Sequence, residues 1–322
     1  MRGLGLIAIL ILGSCSGAPV ATPASSLPPG TAAAACRMPV FWNENTPAGP
    51  KTQAAFVRLP DGAVADVGMI QPPANDSGAT DVLGATYDRA SGRWLPARPA
   101  AVSPDASHYA YISGGVHVVD VASGADRIAY AGPTNFILIG FGADALYLAQ
   151  ATNPRQGLFQ KLFRLDLAGG SPQLVPGSDR HMDQSGWTVV SGGAAWGLDS
   201  RLQGDTYIYV VLRLDLTTGA TTEWLDGPPN RQFAPLGTDN RDRLYVSDGY
   251  EVWRLAQPRQ VEHLLNPPPA AGALTFGSFS YDPHGAWFAG RGRVWLVSDG
   301  GGVGQFKVGL AEEIVFPAGP CS

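Results

Sequence analysis

Val116-His117-Val118-Val119-Asp120-Val121-Ala122-Ser123-Gly124 decides how this chain is read, because the same phrase returns twice downstream. It comes back as Leu162-Phe163-Arg164-Leu165-Asp166-Leu167-Ala168-Gly169-Gly170 and as Val211-Leu212-Arg213-Leu214-Asp215-Leu216-Thr217-Thr218-Gly219. Each copy is an apolar run of strand length, stopped by an aspartate and a glycine turn. Weaker copies follow. Val252-Trp253-Arg254-Leu255-Ala256 has lost the Asp, and Val294-Trp295-Leu296-Val297-Ser298-Asp299-Gly300 has moved it by one place. With Val119, Leu165, Leu214, Leu255 and Val297 taken as equivalent, the steps are 46, 49, 41 and 42 residues. A repeat of that length made of short strands corresponds to one four-stranded blade of a β-propeller.

Upstream of each copy lies a second recurring piece, a turn followed by a short aromatic-bearing strand. Ser103-Pro104-Asp105 leads into Tyr109-Ala110-Tyr111, Thr238-Asp239-Asn240 into Leu244-Tyr245-Val246, and Asp282-Pro283-His284-Gly285 into Trp287-Phe288-Ala289. Prolines at Gly132-Pro133, Pro176-Gly177, Gly227-Pro228-Pro229 and Pro267-Pro268-Pro269 punctuate the units, and strand pairing has to stop there. Phe56-Val57-Arg58-Leu59 supplies a sixth central strand, but Leu59 stands 60 residues before Val119, too far for one blade. The surplus holds Ala85-Thr86-Tyr87-Asp88-Arg89-Ala90-Ser91-Gly92-Arg93-Trp94-Leu95, a hairpin pattern that is either an insertion or part of a seventh blade. The expected fold is therefore all-β, a propeller of four-stranded blades, six favoured over seven. Its last segment, Glu313-Ile314-Val315-Phe316, is expected to join the first blade and close the ring.

The stretch from Ser103-Pro104-Asp105 to Ser123-Gly124 resembles a blade of the WD40-like or TolB-type bacterial propellers, whose pattern is SPDG, a short apolar strand, then a strand ending in Asp and Gly. The match is close for this blade alone, and Ala106 stands where that family usually has Gly. What the resemblance implies is the fold.

The N-terminus reads as an address. Arg2 precedes the apolar run Leu6-Ile7-Ala8-Ile9-Leu10-Ile11-Leu12, too short to span a bilayer. Leu12-Gly13-Ser14-Cys15 then resembles the lipobox of bacterial lipoproteins, which implies cleavage before Cys15 and a lipid on its sulfur; cleavage of an ordinary signal peptide near Ala18 is the alternative. The domain plan is a signal over residues 1–15, an Ala/Pro/Ser tether over 16–35 and the propeller over 36–322. The expected location is the outer side of a bacterial membrane, held by the lipid alone, or the medium if the lipid is not added. Cys36 and Cys321 sit at the two ends of the folded region, and export permits a disulfide between them; two separate buried thiols are the other reading.

Composition narrows the function by exclusion. The net charge is -5 and the chain has no run of Lys or Arg, so the electrostatic footprint of a nucleic-acid partner is missing. No GxSxG, HExxH or phosphate-cradling glycine motif occurs, and the five histidines never stand at metal-ligand spacing, so neither a metal nor another cofactor is expected. The aspartates Asp120, Asp166 and Asp215 recur just before glycine turns and read as turn caps. One irregularity points to a binding face. From the short aromatic strand to the next key residue, Tyr147 to Leu165 and Trp196 to Leu214 span 18 residues, against 9 for Ala110 to Val119. The excess predicts long loops near 150–160 and 199–206 beside the inter-blade linkers. They would bring together Asn153, Arg155, Arg180, His181, Asp183, Arg201, Asp205 and Arg231, with the arginines as partners for a carboxylate, phosphate or sugar ligand. The expected function is a non-catalytic binding or interaction module whose partner is a small molecule, a glycan or an envelope protein. The rival is a hydrolase or lyase acting on a carbohydrate or lactone, with His181 and Asp183 as acid and base.

Overall fold

A computed structural model describes residues 36–47, 49–70, 84–133, 135–153, 158–179, 186–265, 274–310 and 313–322. Cys15 and residues 1–35 lie outside them. The described chain begins with β1 (Arg37–Thr46), β2 (Gly49–Arg58) and β3 (Ala63–Ile70), the outer three strands of blade 1. A two-stranded hairpin follows, β4 (Thr86–Asp88) and β5 (Arg93–Leu95), then a 3-10 turn at Pro99–Ala101. Blade 2 is β6 (His108–Ile112), β7 (Val116–Asp120) and β8 (Asp126–Tyr130), with a bridge from Val102 to Tyr109 in the place of a fourth strand. Blade 3 is β9 (Phe136–Phe141), β10 (Ala145–Asn153), β11 (Leu158–Asp166) and β12 (Gln173–Leu174). Blade 4 is β13 (Trp187–Ser191), β14 (Ala194–Gln203), β15 (Thr206–Asp215) and β16 (Thr221–Asp226). Blade 5 is β17 (Ala234–Thr238), β18 (Leu244–Ser247), β19 (Val252–Gln257) and β20 (Gln260–Leu265). Blade 6 is β21 (Leu274–Asp282), β22 (Gly285–Gly290), β23 (Arg293–Val297) and β24 (Val303–Lys307). Finally β25 (Phe316–Pro317) pairs with β1 and becomes the inner strand of blade 1.

The inner strands β9, β13, β17, β21 and β25 touch in succession, which makes the six sheets a ring. The repeated phrase typified by Val116–Asp120 is the third strand of its blade, and the aromatic strand is the second. Both are apolar on two sides because each sheet packs against a neighbour on either face. β22, for instance, is buried at all six positions. The cores are accordingly seams between blades. Trp187 and Leu212 of blade 4 meet Ile139 and Leu162 of blade 3 in one, and Trp196 of blade 4 meets Leu244 and Leu255 of blade 5 in another. Four tryptophans, Trp187, Trp196, Trp287 and Trp295, are at most 1% exposed. At roughly 25 cal/mol per Å² and about 150–250 Å² per ring, each contributes several kcal/mol of gross burial energy.

The hairpin settles the 60-residue spacing. Tyr87 and Trp94 pack against Phe56 of blade 1 at 4.7 and 5.3 Å, and the Tyr87 N–H donates to Ala318 at 2.8 Å. Arg93 reaches across to the Val121 carbonyl of blade 2 at 3.2 Å. It is a wedge in the seam between blades 1 and 2, so the count is six.

Ring closure matches its expectation. Cys36 and Cys321 form a disulfide, and the Arg37 and Ser322 backbones exchange hydrogen bonds of 2.7 and 3.1 Å. Buried Asp282 ties this end to blade 6, accepting from the Trp287 indole N–H and from the Cys321 backbone N–H, both at 2.8 Å. Turn aspartates also behave as read. Asp120 accepts from the Ser123 N–H at 2.7 Å, and Asp215 from the Thr218 N–H at 2.8 Å. Asp166 instead pairs through its carboxylate with Arg164. Ala106 takes φ +55°, a left-handed geometry that favours glycine.

One expectation is corrected. The extra residues at 199–206 are not a long loop, and those at 150–153 and 158–160 belong to strands. β14 and β15 stay paired from Ala194↔Asp215 to Gln203↔Thr206, leaving a turn at Gly204 and Asp205. β10 and β11 likewise stay paired until Asn153↔Leu158. A centre-to-centre count cannot separate a longer loop from a longer pair of strands.

Candidate functional site

The polar residues nominated from the sequence fall into two groups. Arg155, Arg180, His181 and Asp183 lie outside the described residues, as does the side chain of Asn153 at the end of β10. Arg201, Asp205 and Arg231 are described. Asp205 is exposed at the tip of the long blade 4 hairpin. Arg231 lines an open cleft of about 310 Å³ in the outer part of the seam between blades 4 and 5, and Arg201 stands outside it, paired with the lining residue Asp226.

The linker between these blades builds one wall. It leaves β16 at Asp226 and runs along β15, with the Gly227 N–H donating to Tyr209 at 2.7 Å and the Asn230 N–H to Tyr207 at 2.8 Å. Arg231 is thereby aimed back into the seam. Its Nε bonds the Asp248 carboxylate, one Nη donates to Glu251 at 2.7 Å, and the guanidinium lies 4.9 Å from the centre of the Trp253 ring. Burial works against the Arg231 charge, but the two carboxylates outweigh it and hold the group above its ordinary value. Asp248, only 6% exposed, is itself held by its turn, accepting from the Tyr250 and Glu251 N–H groups at 2.9 and 2.8 Å.

The floor is apolar and belongs mostly to blade 5. Phe233, 4% exposed, meets the half-buried Trp253 edge-on at 4.8 Å. His263, the cross-strand partner of Trp253, leans over the same ring at 5.5 Å, and its Nε2 lies 3.7 Å from Glu251. Leu225 closes the blade 4 side and the exposed Val261 the outer side. Asp226 at the rim is bonded by Arg201 at 3.0 Å, and Arg201 also meets Glu223 at 3.4 Å. Every guanidinium near the cleft thus has a carboxylate already, and the anion-accepting role expected of Arg201 and Arg231 is filled from within the protein.

Sequence reading passed over Trp253, His263, Glu251 and Phe233. Trp253 was legible only as a blade-strand aromatic. The one local signal was the loss of Asp from the blade 5 copy of the repeat, where Ala256 follows Leu255. His117, on β7, is a satisfied sheet histidine: its ring nitrogens face Asp126 and the Ser113 carbonyl, each at 3.0 Å. His284 lies against Asp282 at 3.2 Å. A second cavity, of about 290 Å³, is the central channel, lined chiefly by Ile137, Val190, Leu236 and Phe279. Among the described residues no three His, Cys, Asp or Glu side chains are grouped to hold a metal ion.

No family model matches the chain, and no curated protein does. Solved structures do. Virginiamycin B lyase from Staphylococcus aureus, in a catalytically inactive form with quinupristin, is 10% identical over 88% of this chain and 95% of its own, with a TM-score of 0.45. An oligogalacturonate lyase in complex with manganese is 12% identical over 84% of this chain and 73% of its own, TM-score 0.48. The acylaminoacyl peptidase of Pyrococcus horikoshii is 10% identical over 84% of this chain and 44% of its own, TM-score 0.48. Likeness at these identities says nothing of ligand or reaction, and the fold rests on the sheet order and seams described above.

Proposed function

We propose that this chain is a non-catalytic, extracytoplasmic binding propeller of the TolB-like kind, lipid-anchored through Cys15, that presents the blade 4–5 cleft to its ligand. The observation that carries the reading is the commitment of the cleft's charges to one another. A general acid or base works when it is poised to exchange a proton with substrate. Here Glu251 is bonded by Arg231 at 2.7 Å and Asp226 by Arg201 at 3.0 Å, arrangements that fix geometry and suit recognition. The rigid ring of blades supports such a site well, because a cleft between packed sheets is formed before its ligand arrives.

The test has two arms. The purified full chain, offered polysaccharide and lactone substrates, should turn over none of them; turnover that disappears in His181→Ala at an unchanged melting temperature would overturn the reading in favour of the enzyme. Cys15→Ser should move the exported chain from the membrane fraction to the soluble one. Retention on the membrane would remove the lipid anchor from the proposal.

A further inference from the structure

The chemistry of the cleft points to one class of ligand. We infer that it binds a neutral saccharide of one or two rings, an inference that rests on the binding role proposed above. Size comes first: about 310 Å³ is at the small end of the range of roughly 300–1,000 Å³ typical of small-molecule sites. Charge comes second. Arg231 is matched by Asp248 and Glu251, and Arg201 by Glu223 and Asp226. An anionic ligand would have to displace a carboxylate and would face Glu251 and Asp226 at close range, and a cationic one would face Arg231. Neither sign gains from entering, and a neutral ligand meets no such penalty.

Shape and hydrogen-bonding capacity then separate a saccharide from other neutral molecules. Phe233, Trp253, Leu225 and Val261 offer an apolar floor against which the C–H face of a sugar ring can lie. Around it stand groups that hydroxyls can address in both directions. Among the described residues the contacts of Glu251 fall on Oε2 and those of Arg231 on Nε and one Nη, which leaves Glu251 Oε1 to accept and the second Arg231 Nη to donate. His263 adds a ring nitrogen at the mouth. Arg231 over one side of Trp253 and Phe233 against its edge hold the indole in place before binding, which lowers the ordering cost of recognition. A purely apolar ligand would leave this polar rim unmatched.

The deciding experiment follows the indole N–H resonances of the 15N-labelled full chain, with Trp253 assigned by its loss in Trp253→Phe. Cellobiose, maltose, lactose and diacetylchitobiose are titrated beside glucuronate and choline. At least one neutral disaccharide should shift the Trp253 resonance saturably, with glucuronate at least tenfold weaker, and Glu251→Gln should weaken that disaccharide by tenfold or more. Glu251 is part-buried and also holds Arg231, so the variant is read beside its melting temperature, which should stay unchanged if only the ligand contact is lost. A Trp253 resonance that responds to glucuronate or choline but to no neutral sugar would overturn the ligand class and leave the cleft as a binding site. Silence at Trp253 toward every probe would overturn both the ligand class and the cleft.

Discussion

Two seams of the same ring are built from equivalent strands and end up with opposite characters. Between blades 6 and 1, Trp287 is 1% exposed, its indole N–H bonds buried Asp282, and Cys36 and Cys321 lock the join covalently. Between blades 4 and 5 the inner part is as dry, with Trp196, Leu244 and Leu255 all buried. The outer part opens into a cleft where Trp253 is only half-buried among Arg231, Glu251 and His263. A repeat fold can thus keep its stability in one part of a seam and leave another part open. Closing a ring puts chain termini in a seam that must not fray, and interior seams are already held by the continuous chain.

Substitution can break this contrast. Trp287→Ala should cost about 3–5 kcal/mol, because it leaves a cavity in a fully packed seam and removes the donor of Asp282. Urea unfolding measures it, and a loss below that of Trp253→Ala would erase the distinction between the seams. Cys36→Ala with Cys321→Ala should cost about 2–4 kcal/mol, with reductant reproducing the effect in the parent protein and doing nothing to the variant.

Trp253→Ala should cost only about 1–2 kcal/mol, in line with partial burial, while abolishing whatever binds the cleft. Calorimetric titration against thermal melting separates those two effects. Smallest is an acid effect away from both seams. In blade 2 the Asp105 carboxyl is held down to about 2 from 3.8 by its bonds to the Ser103 and Ser107 hydroxyls and the Ser107 N–H. A depressed folded value means stability that is present above the unfolded value and lost as pH falls through the folded one. The melting temperature should therefore drop between about pH 4 and pH 2, and Asp105→Asn should flatten part of that drop. An identical acid profile in the variant would assign the loss to other carboxylates.

Much of the architecture was legible in advance because blade strands are buried on both faces. Runs such as Val118-Val119 and Val210-Val211-Leu212 advertise that burial directly, and the glycine turns mark their ends. The disulfide was legible from two cysteines at the ends of one folded region. Less was legible about the site. Arg201 and Arg231 were nominated as neighbours of long loops, but the loop expected beside Arg201 is a pair of strands that continue. Trp253 and His263 were passed over because an aromatic and a histidine on blade strands look alike whether they face a closed seam or an open one.

By itself, then, the sequence determined the repeat, the ring, its closure and the turn chemistry, all of which depend on local periodicity and on burial that every copy shares. It took the folded chain to pair Arg201 and Arg231 with the protein's own carboxylates, to make the Tyr87–Trp94 hairpin a wedge rather than a blade, and to open the seam between blades 4 and 5. Those outcomes depend on which side chains meet across strands, linkers and sheets, from residues 20 or more apart, and pairings at that distance leave no trace in local pattern.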